Sequence, residues 1–151
     1  MQTILGAGGA IGNELAKALP QYTNQIRLVS RDPKRVNEGD ELFKADITKY
    51  EEVAKAVEGS EVVYLTAGLP YNTTVWQNNW PVIMKNVIEA CRVYNARLVF
   101  FDNIYMYDPG NLNPITEENP VNPSSKKGKV RAEIAQMVLV AAKGSEIKAL
   151  I

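Results

Sequence analysis

Met1-Gln2-Thr3-Ile4-Leu5-Gly6-Ala7-Gly8-Gly9-Ala10-Ile11-Gly12 begins the chain, and its order of residue types decides the fold. Met1 to Leu5 reads as a short apolar strand. A glycine-rich turn follows, then an alanine- and leucine-rich helix that ends near Leu19. A strand that turns directly into a helix needs positions free of side-chain clash, and a pyrophosphate approaches a helix N-terminus closely only where no Cβ projects. Backbone N–H groups and the helix dipole then hold the anion. The spacing G-x-G-x-x-G fails, because its third glycine would fall on Ile11, whereas G-x-x-G-x-x-G fits at Gly6, Gly9 and Gly12. A tight turn uses glycine with or without a ligand. Placement at the first strand-to-helix junction is what points to a dinucleotide, with Gly6, Gly9, Ala10, Ile11 and Gly12 forming its cradle.

The totals narrow the field. With 151 residues, 46% of them hydrophobic and 23% charged, the chain is large enough for one domain with a real core. Seventeen basic residues balance 17 acidic ones, so no bulk field attracts nucleic acid or an anionic membrane. A single cysteine, Cys91, allows no internal disulfide, and its apolar helical setting fits a buried thiol in a reducing compartment. No apolar run approaches a membrane span and no signal peptide precedes the first strand, so a cytoplasmic protein is expected. Histidine is absent, which excludes His-based triads and leaves Tyr, Lys, Asp, Glu or Cys as the acids and bases. No metal site is expected.

Further along, Ile26 to Ser30 forms a second strand that ends on Ser30-Arg31-Asp32-Pro33. At this distance beyond the glycine turn a dinucleotide fold reads the adenosine ribose. An acidic residue there would bind a 2′-hydroxyl and repel a 2′-phosphate. Ser30 and Arg31, with Lys34 and Arg35 behind them, would instead welcome a phosphate, which favours NADP over NAD. The competing account is a solvated basic turn paired with Asp32. A strand around Leu42 and Phe43 ends on Asp46-Ile47-Thr48, where Asp46 either accepts a hydrogen bond from the adenine amino group or, like Thr48, caps the helix expected over Tyr50 to Val57.

Glu61 to Thr66 has a buried strand's composition and leads into Ala67-Gly68-Leu69-Pro70. The small residues Thr66, Ala67 and Gly68 leave room for the middle of a cofactor at that strand's C-terminal edge. Asn72 to Trp80 reads as a polar and aromatic loop before a helix from Pro81 to Tyr94; the formal glycosylation sequon Asn72-Thr73-Thr74 lies within it. Arg97 to Phe101 delivers Asp102-Asn103-Ile104-Tyr105-Met106-Tyr107 at its end. Residues 108–123 form an irregular excursion, Ser124 to Lys143 a helix and Glu146 to Ile151 another strand. The alternation of strands and helices predicts an α/β, Rossmann-like, doubly wound parallel sheet with right-handed crossovers.

In this order the residues resemble the N-terminal part of an extended or atypical short-chain dehydrogenase/reductase of the NAD-dependent epimerase/dehydratase group. The resemblance rests on Gly6, Gly9 and Gly12, on Asp46-Ile47-Thr48, on Val62 to Gly68, on Thr116-Glu117 with Pro120 and Pro123, and on Lys129 with Ala132-Glu133. It implies a nicotinamide dinucleotide cofactor and a Ser/Thr, Tyr and Lys catalytic set, in which lysine lowers the tyrosine pKa and binds the nicotinamide ribose. Carried across, only Lys129 matches. The tyrosine position falls on Ser125 and the serine position on Asn103. A serine hydroxyl titrates far above tyrosine's value near 10, so Ser125 does not simply take over proton transfer.

Three readings follow from the resemblance. An enzyme acting on a small carbonyl, carbinol or nucleotide-sugar substrate would recruit Tyr105 as its acid, beside Asn103, Ser125 and Lys129; the bland account of Tyr105 is an aromatic lining the pocket. A sensor would bind NADP without turnover. A scaffold would keep the glycine turn as structure alone, which Arg31, Asp46 and Lys129 argue against. Asn79 stands where the family often has an asparagine, and Lys126 and Lys127 read as a solvated helix start. The family places its substrate-binding region after the sixth strand, so residues 1–151 are expected to form the cofactor domain without it, and a broken sheet edge is expected to favour a homo-oligomer.

Overall fold

The computed structural model describes residues 1–110 and 114–151; residues 111–113, part of the expected excursion over 108–123, lie outside the described residues. Alternating apolar side chains build the sheet. In β1 (Gln2–Leu5) Ile4 packs to one face and Leu5 to the other, and in β2 (Ile26–Ser30) Leu28 and Val29 divide in the same way. Strands buried on both faces read as continuous hydrophobic runs, as parallel sheets require. β3 (Glu41–Lys44), β4 (Val62–Leu65), β5 (Arg97–Phe100) and β6 (Lys148–Leu150) complete a six-stranded parallel sheet of order β3-β2-β1-β4-β5-β6. Leu5 pairs with Val29 on one side and Leu65 on the other, so the strand order reverses at β1. The C-terminal strand ends splay there, which opens a crevice.

Four α-helices among the described residues cover the sheet. The core under α1 (Ala10–Ala18) gathers Ile4, Ala7, Ala16, Leu19, Ile26 and Leu28 on one face. On the other face α2 (Tyr50–Val57), α3 (Thr73–Val93) and α4 (Lys126–Lys143) enclose a larger core, in which Val53, Trp80, Ile83, Met84, Leu98 and Ile134 are fully or almost fully buried.

One expected boundary is overturned. The stretch from Asn72 to Trp80, read as a loop, is the first half of α3, and Pro81 stands inside the helix. Asn72 caps it, its side-chain Oδ1 accepting from Val75 N–H at 3.0 Å. Pro81 removes one helical hydrogen bond at a cost of about 3 kcal/mol. Trp76 and Trp80, both buried on this half, each contribute roughly 1.5–3 kcal/mol, so their packing outweighs the proline. The helix expected at Tyr50 does form, but its N-cap is Lys49 and no side chain caps it; neither Asp46 nor Thr48 takes that place.

Candidate functional site

The crevice at the strand reversal is a cleft of about 530 Å³. The turn after β1 lines it with Gly6, Ala7 and Gly9, the end of β2 with Ser30 and Arg31, and the end of β3 with Asp46, Ile47 and Thr48. Ala67, Gly68, Leu69 and Pro70 after β4, with Val75, Asn79 and Ile83 from α3, close the far side.

The glycine turn has the shape an anion needs. Gly6 adopts φ +101°, and a Cβ on it would overlap the Ala67 backbone; only glycine fits. Its N–H and that of Ala7 donate to Val29 C=O at 2.9 and 3.0 Å, which ties the turn to β2. Gly9 is the N-cap of α1 and offers no side-chain cap, so the amides of the first turn at Ala10, Ile11 and Gly12 keep their capacity for an anion. Gly12 itself packs inward, where a Cβ would stand 2.9 Å from Gly6 O and 3.1 Å from Thr66 Oγ1. Ala10, Ile11, Gly12 and Thr66 do not line the cleft; the Ile11 side chain and Thr66 border a separate apolar groove with Tyr64 and Phe101.

At the end of β2 the basic residues divide. Asp32 pairs with Lys34 at 2.9 Å, not with Arg31. Arg35 donates to Glu38 C=O and Asp40 C=O at 2.6 and 2.7 Å and so braces its own loop. Arg31 is exposed at the cleft and forms no ion pair among the described residues. Asp46 faces it across the cleft mouth. Its Oδ1 accepts from Thr48 N–H at 3.0 Å and Thr48 Oγ1 at 2.7 Å, and its own N–H donates to Glu52 Oε2 at 2.7 Å. These Thr48 bonds hold the Asp46 carboxyl below the usual carboxylate range, with Lys49 and Arg31 adding to the effect. Asn79 donates to Val75 C=O at 3.0 Å.

A second group of residues lies past the end of β5. Asp102 Oδ1 accepts from Asn103 N–H at 2.6 Å, and Asn103 Oδ1 accepts from Tyr105 N–H at 3.0 Å. This side-chain capping starts the short 3-10 turn Ile104–Met106. Ser125 is the N-cap of α4, its Oγ accepting from Gly128 N–H at 2.9 Å. Lys129 is exposed one turn further on and forms no ion pair among the described residues. A Cβ at Gly128 would overlap Tyr105 C=O, so glycine lets the first turn of α4 press against the Tyr105 segment. Asn103, Tyr105, Ser125 and Lys129 are thus gathered at one junction, and none of them lines the cleft itself.

Sequence reasoning missed several residues at this junction. Tyr71, Trp76 and Tyr105 form a chain of ring contacts, and Lys127, expected to be solvated, holds its ammonium 3.6 Å from the Tyr71 ring centroid. Arg131 and Asp102 form a buried ion pair. The crowding of Tyr71, Trp76 and Trp80 ahead of a helix was the signal available.

Comparison with known proteins places this geometry. A family model described as NAD(P)H-binding matches residues 6–137. Among solved structures, a UDP-galactose 4-epimerase is 25% identical, with a TM-score of 0.85, over 99% of this chain and 54% of its own. A glucuronic acid dehydrogenase from Chromohalobacter salexigens is 17% identical with a TM-score of 0.87, over 99% of this chain and 58% of its own. The UDP-glucose 4-epimerase of Thermus thermophilus, solved with NAD, is 22% identical with a TM-score of 0.81, over 99% of this chain and 53% of its own. The chain therefore spans little more than half the length of these structures. No curated protein matches the sequence. No described helix is long and apolar enough to cross a membrane.

Proposed function

The chain belongs to the NAD(P)H-binding family and has the fold of short-chain dehydrogenase/reductase epimerases and dehydrogenases, and from that premise we propose that its cleft binds NADP in preference to NAD. Gly6 and Gly9, with the amides of Ala10, Ile11 and Gly12, would hold the pyrophosphate. Ser30 and Arg31 would hold the 2′-phosphate, Asp46 and Ile47 the adenine, and Ala67 and Gly68 the middle of the dinucleotide, while Thr66, expected beside them, faces the separate groove. The residues fit the group: Gly6 lets the turn pack directly on the Ala67 backbone, and Gly9 caps α1 without a side chain, so the first amides of the helix stand in a backbone-only cradle. Arg31 carries the proposal, because Asp32 pairs with Lys34 and Arg31 forms no ion pair among the described residues, and guanidinium is the side chain best matched to phosphate.

When bound, the cofactor supplies a hydride donor or acceptor for a carbonyl or carbinol carbon. In a working enzyme the chain's own residues divide the remaining tasks. Lys129 would bind the ribose, Asn103 would orient the substrate oxygen, and Tyr105 would hold or release the proton. The substrate would be a small carbonyl or carbinol compound or a nucleotide sugar, in a cytoplasmic setting. A second reading, an NADP-binding sensor without turnover, draws on Ser125. Its hydroxyl oxygen caps α4 at the position where the family has its tyrosine, which gives that residue a structural duty in place of an acid–base one.

Calorimetric titration of the chain with NADP and NAD, repeated on Arg31→Ala, tests the proposal. The expected result is tighter binding of NADP than of NAD, with Arg31→Ala weakening NADP by about tenfold or more, the scale of one charge-assisted phosphate contact. Equal affinity of wild type and variant for NADP would refute the role of Arg31. Absence of binding to either dinucleotide would refute the cofactor site.

A further inference from the structure

We infer that Tyr71, Trp76, Tyr105 and Lys127 form a binding shelf for a planar ring that carries an anionic group, an inference that rests on the reading of the neighbouring cleft as the cofactor site. Four separate elements build it: the loop after β4 supplies Tyr71, the first turn of α3 supplies Trp76, the 3-10 turn after β5 supplies Tyr105 and the first turn of α4 supplies Lys127. Trp76 is buried and is the floor. Tyr105 stacks on it at 6.3 Å with an interplanar angle of 17°, while Tyr71 meets it edge-on at 5.9 Å and 86°. Both tyrosines are exposed residues, Tyr71 at 72% and Tyr105 at 44%.

Exposed tyrosines held in place by a buried tryptophan lose little entropy when a ligand ring stacks on them, because their rotamers are already set. The shelf also has a charge. Lys127 stands with its ammonium 3.6 Å from the Tyr71 centroid and 6.0 Å from that of Trp76. It forms no ion pair among the described residues, so the ring partly replaces its water without cancelling its charge. Lys126 and Lys129 flank it on α4 and add the same sign. A neutral ring would use the stacking surface alone and a small anion the charge alone; a ring-bearing anion uses both.

The position gives the shelf its purpose. Pro70, which lines the cleft, adjoins Tyr71 in the chain and accepts the Trp76 Nε1 hydrogen bond at 3.0 Å. Tyr105 follows Asn103 at the end of β5. A ring seated on the shelf would therefore lie beside the β4 edge of the cleft, with the groups proposed for proton and ribose contacts along its border. The shelf selects the substrate by ring and charge.

The test is calorimetric titration of the chain with cinnamate, cinnamyl alcohol and cyclohexanecarboxylate, each with and without saturating NADP. Cinnamate is expected to bind more tightly than either the neutral alcohol or the saturated acid. Tyr71→Ala and Lys127→Met, which keeps the aliphatic stem, should each weaken it about threefold to tenfold, the scale of one partly desolvated cation–π or stacking contact. NADP affinity and far-ultraviolet circular dichroism should stay unchanged in both variants, which separates shelf loss from unfolding. No cinnamate binding to the wild-type chain, or equal binding by wild type and both variants, overturns the inference. If neither dinucleotide binds, the cofactor reading fails by itself, and cinnamate titration of the free chain still decides the shelf.

Discussion

Arg131 on α4 and Asp102 at the end of β5 are joined by a salt bridge whose two side chains are only 4% and 5% exposed. Arg131 Nε donates to Asp102 Oδ1 at 2.5 Å, and the guanidinium carbon lies 4.5 Å from the Trp80 ring centroid and 5.0 Å from that of Phe100. The pair ties the helix that carries Lys129 to the strand end that carries Asn103. Asp102 Oδ2 is buried without a hydrogen-bond partner among the described residues, and burial pushes the Asp102 carboxyl above its ordinary value while Arg131 and the Asn103 N–H oppose the rise.

Removing one partner strands the other. Arg131→Met should cost about 3–5 kcal/mol in urea unfolding, because a buried carboxylate is left unpaired. Without Arg131 only the Asn103 N–H still opposes the rise in the Asp102 pKa, so the folded variant keeps a proton that the unfolded chain has lost. Its stability should then fall as pH climbs above the ordinary carboxylate value of 3.8. Arg131→Met with Asp102→Leu should recover much of the loss. A single variant with wild-type stability at neutral pH would show that the pair contributes nothing.

Gly6 and Gly39 offer a matched pair of substitutions. At Gly6 both φ +101° and the Ala67 backbone oppose a side chain, whereas at Gly39 a Cβ would meet nothing within 4 Å and no positive φ applies. Gly6→Ala should lose at least about 2 kcal/mol of stability from strain and overlap, and NADP binding with it. Gly39→Ala should be neutral within roughly 0.5 kcal/mol. Dinucleotide titration beside thermal unfolding measures both, and a tolerated Gly6→Ala would refute the backbone-only cradle.

Much of this arrangement was legible in the sequence because local chemistry and tertiary structure agree there. Short apolar runs ending in small or polar residues marked the first five strands, an apolar run over Glu146 to Ile151 marked the sixth, and the glycine spacing marked the first turn. The opening of α3 was hidden by Pro81, since the burial of Trp76 and Trp80 that overrides it is a tertiary effect. Lys127 read as solvent-exposed for a similar reason: its partner Tyr71 lies far away in the chain and meets it only once β4 and α4 are placed. Spacing alone pointed to Arg31, Asp46, Gly6 and Gly9, which the fold brings to one cleft, and to Gly12, which packs inward instead. The Asp102–Arg131 pair could not, because nothing local to either residue names the other.

Asp46 ties stability to acid. Its two bonds from Thr48 keep the folded carboxyl below 3.8, so between the folded value and 3.8 the unfolded chain binds more protons. Stability is therefore present above that window and falls as pH drops through it. Asp46→Asn keeps an oxygen for Thr48 without the charge, and the difference between its urea midpoint and that of wild type should shrink as pH falls below 3.8. A constant difference across acid pH would mean that Asp46 does not titrate as its contacts require.

Cys91 lies fully buried on α3, and burial pushes its thiol up to about 12 from an ordinary value of 9.0. Two consequences follow from one cause, since a thiolate is both the reactive species and the charged form that burial disfavours. Below pH 9.0, the native chain should react with Ellman's reagent only through opening events, and the rate should rise in step with the unfolded fraction as urea is added. Above the ordinary thiol value the unfolded chain releases a proton that the folded chain keeps. The raised folded pKa therefore gives stability that is complete below 9.0 and is lost as pH rises towards about 12. Cys91→Ala removes this titration, so wild type should lose stability faster than the variant on the alkaline side while the two run parallel at neutral pH. Rapid labelling of the native thiol, or parallel alkaline limbs, would place Cys91 at a surface that opens without unfolding.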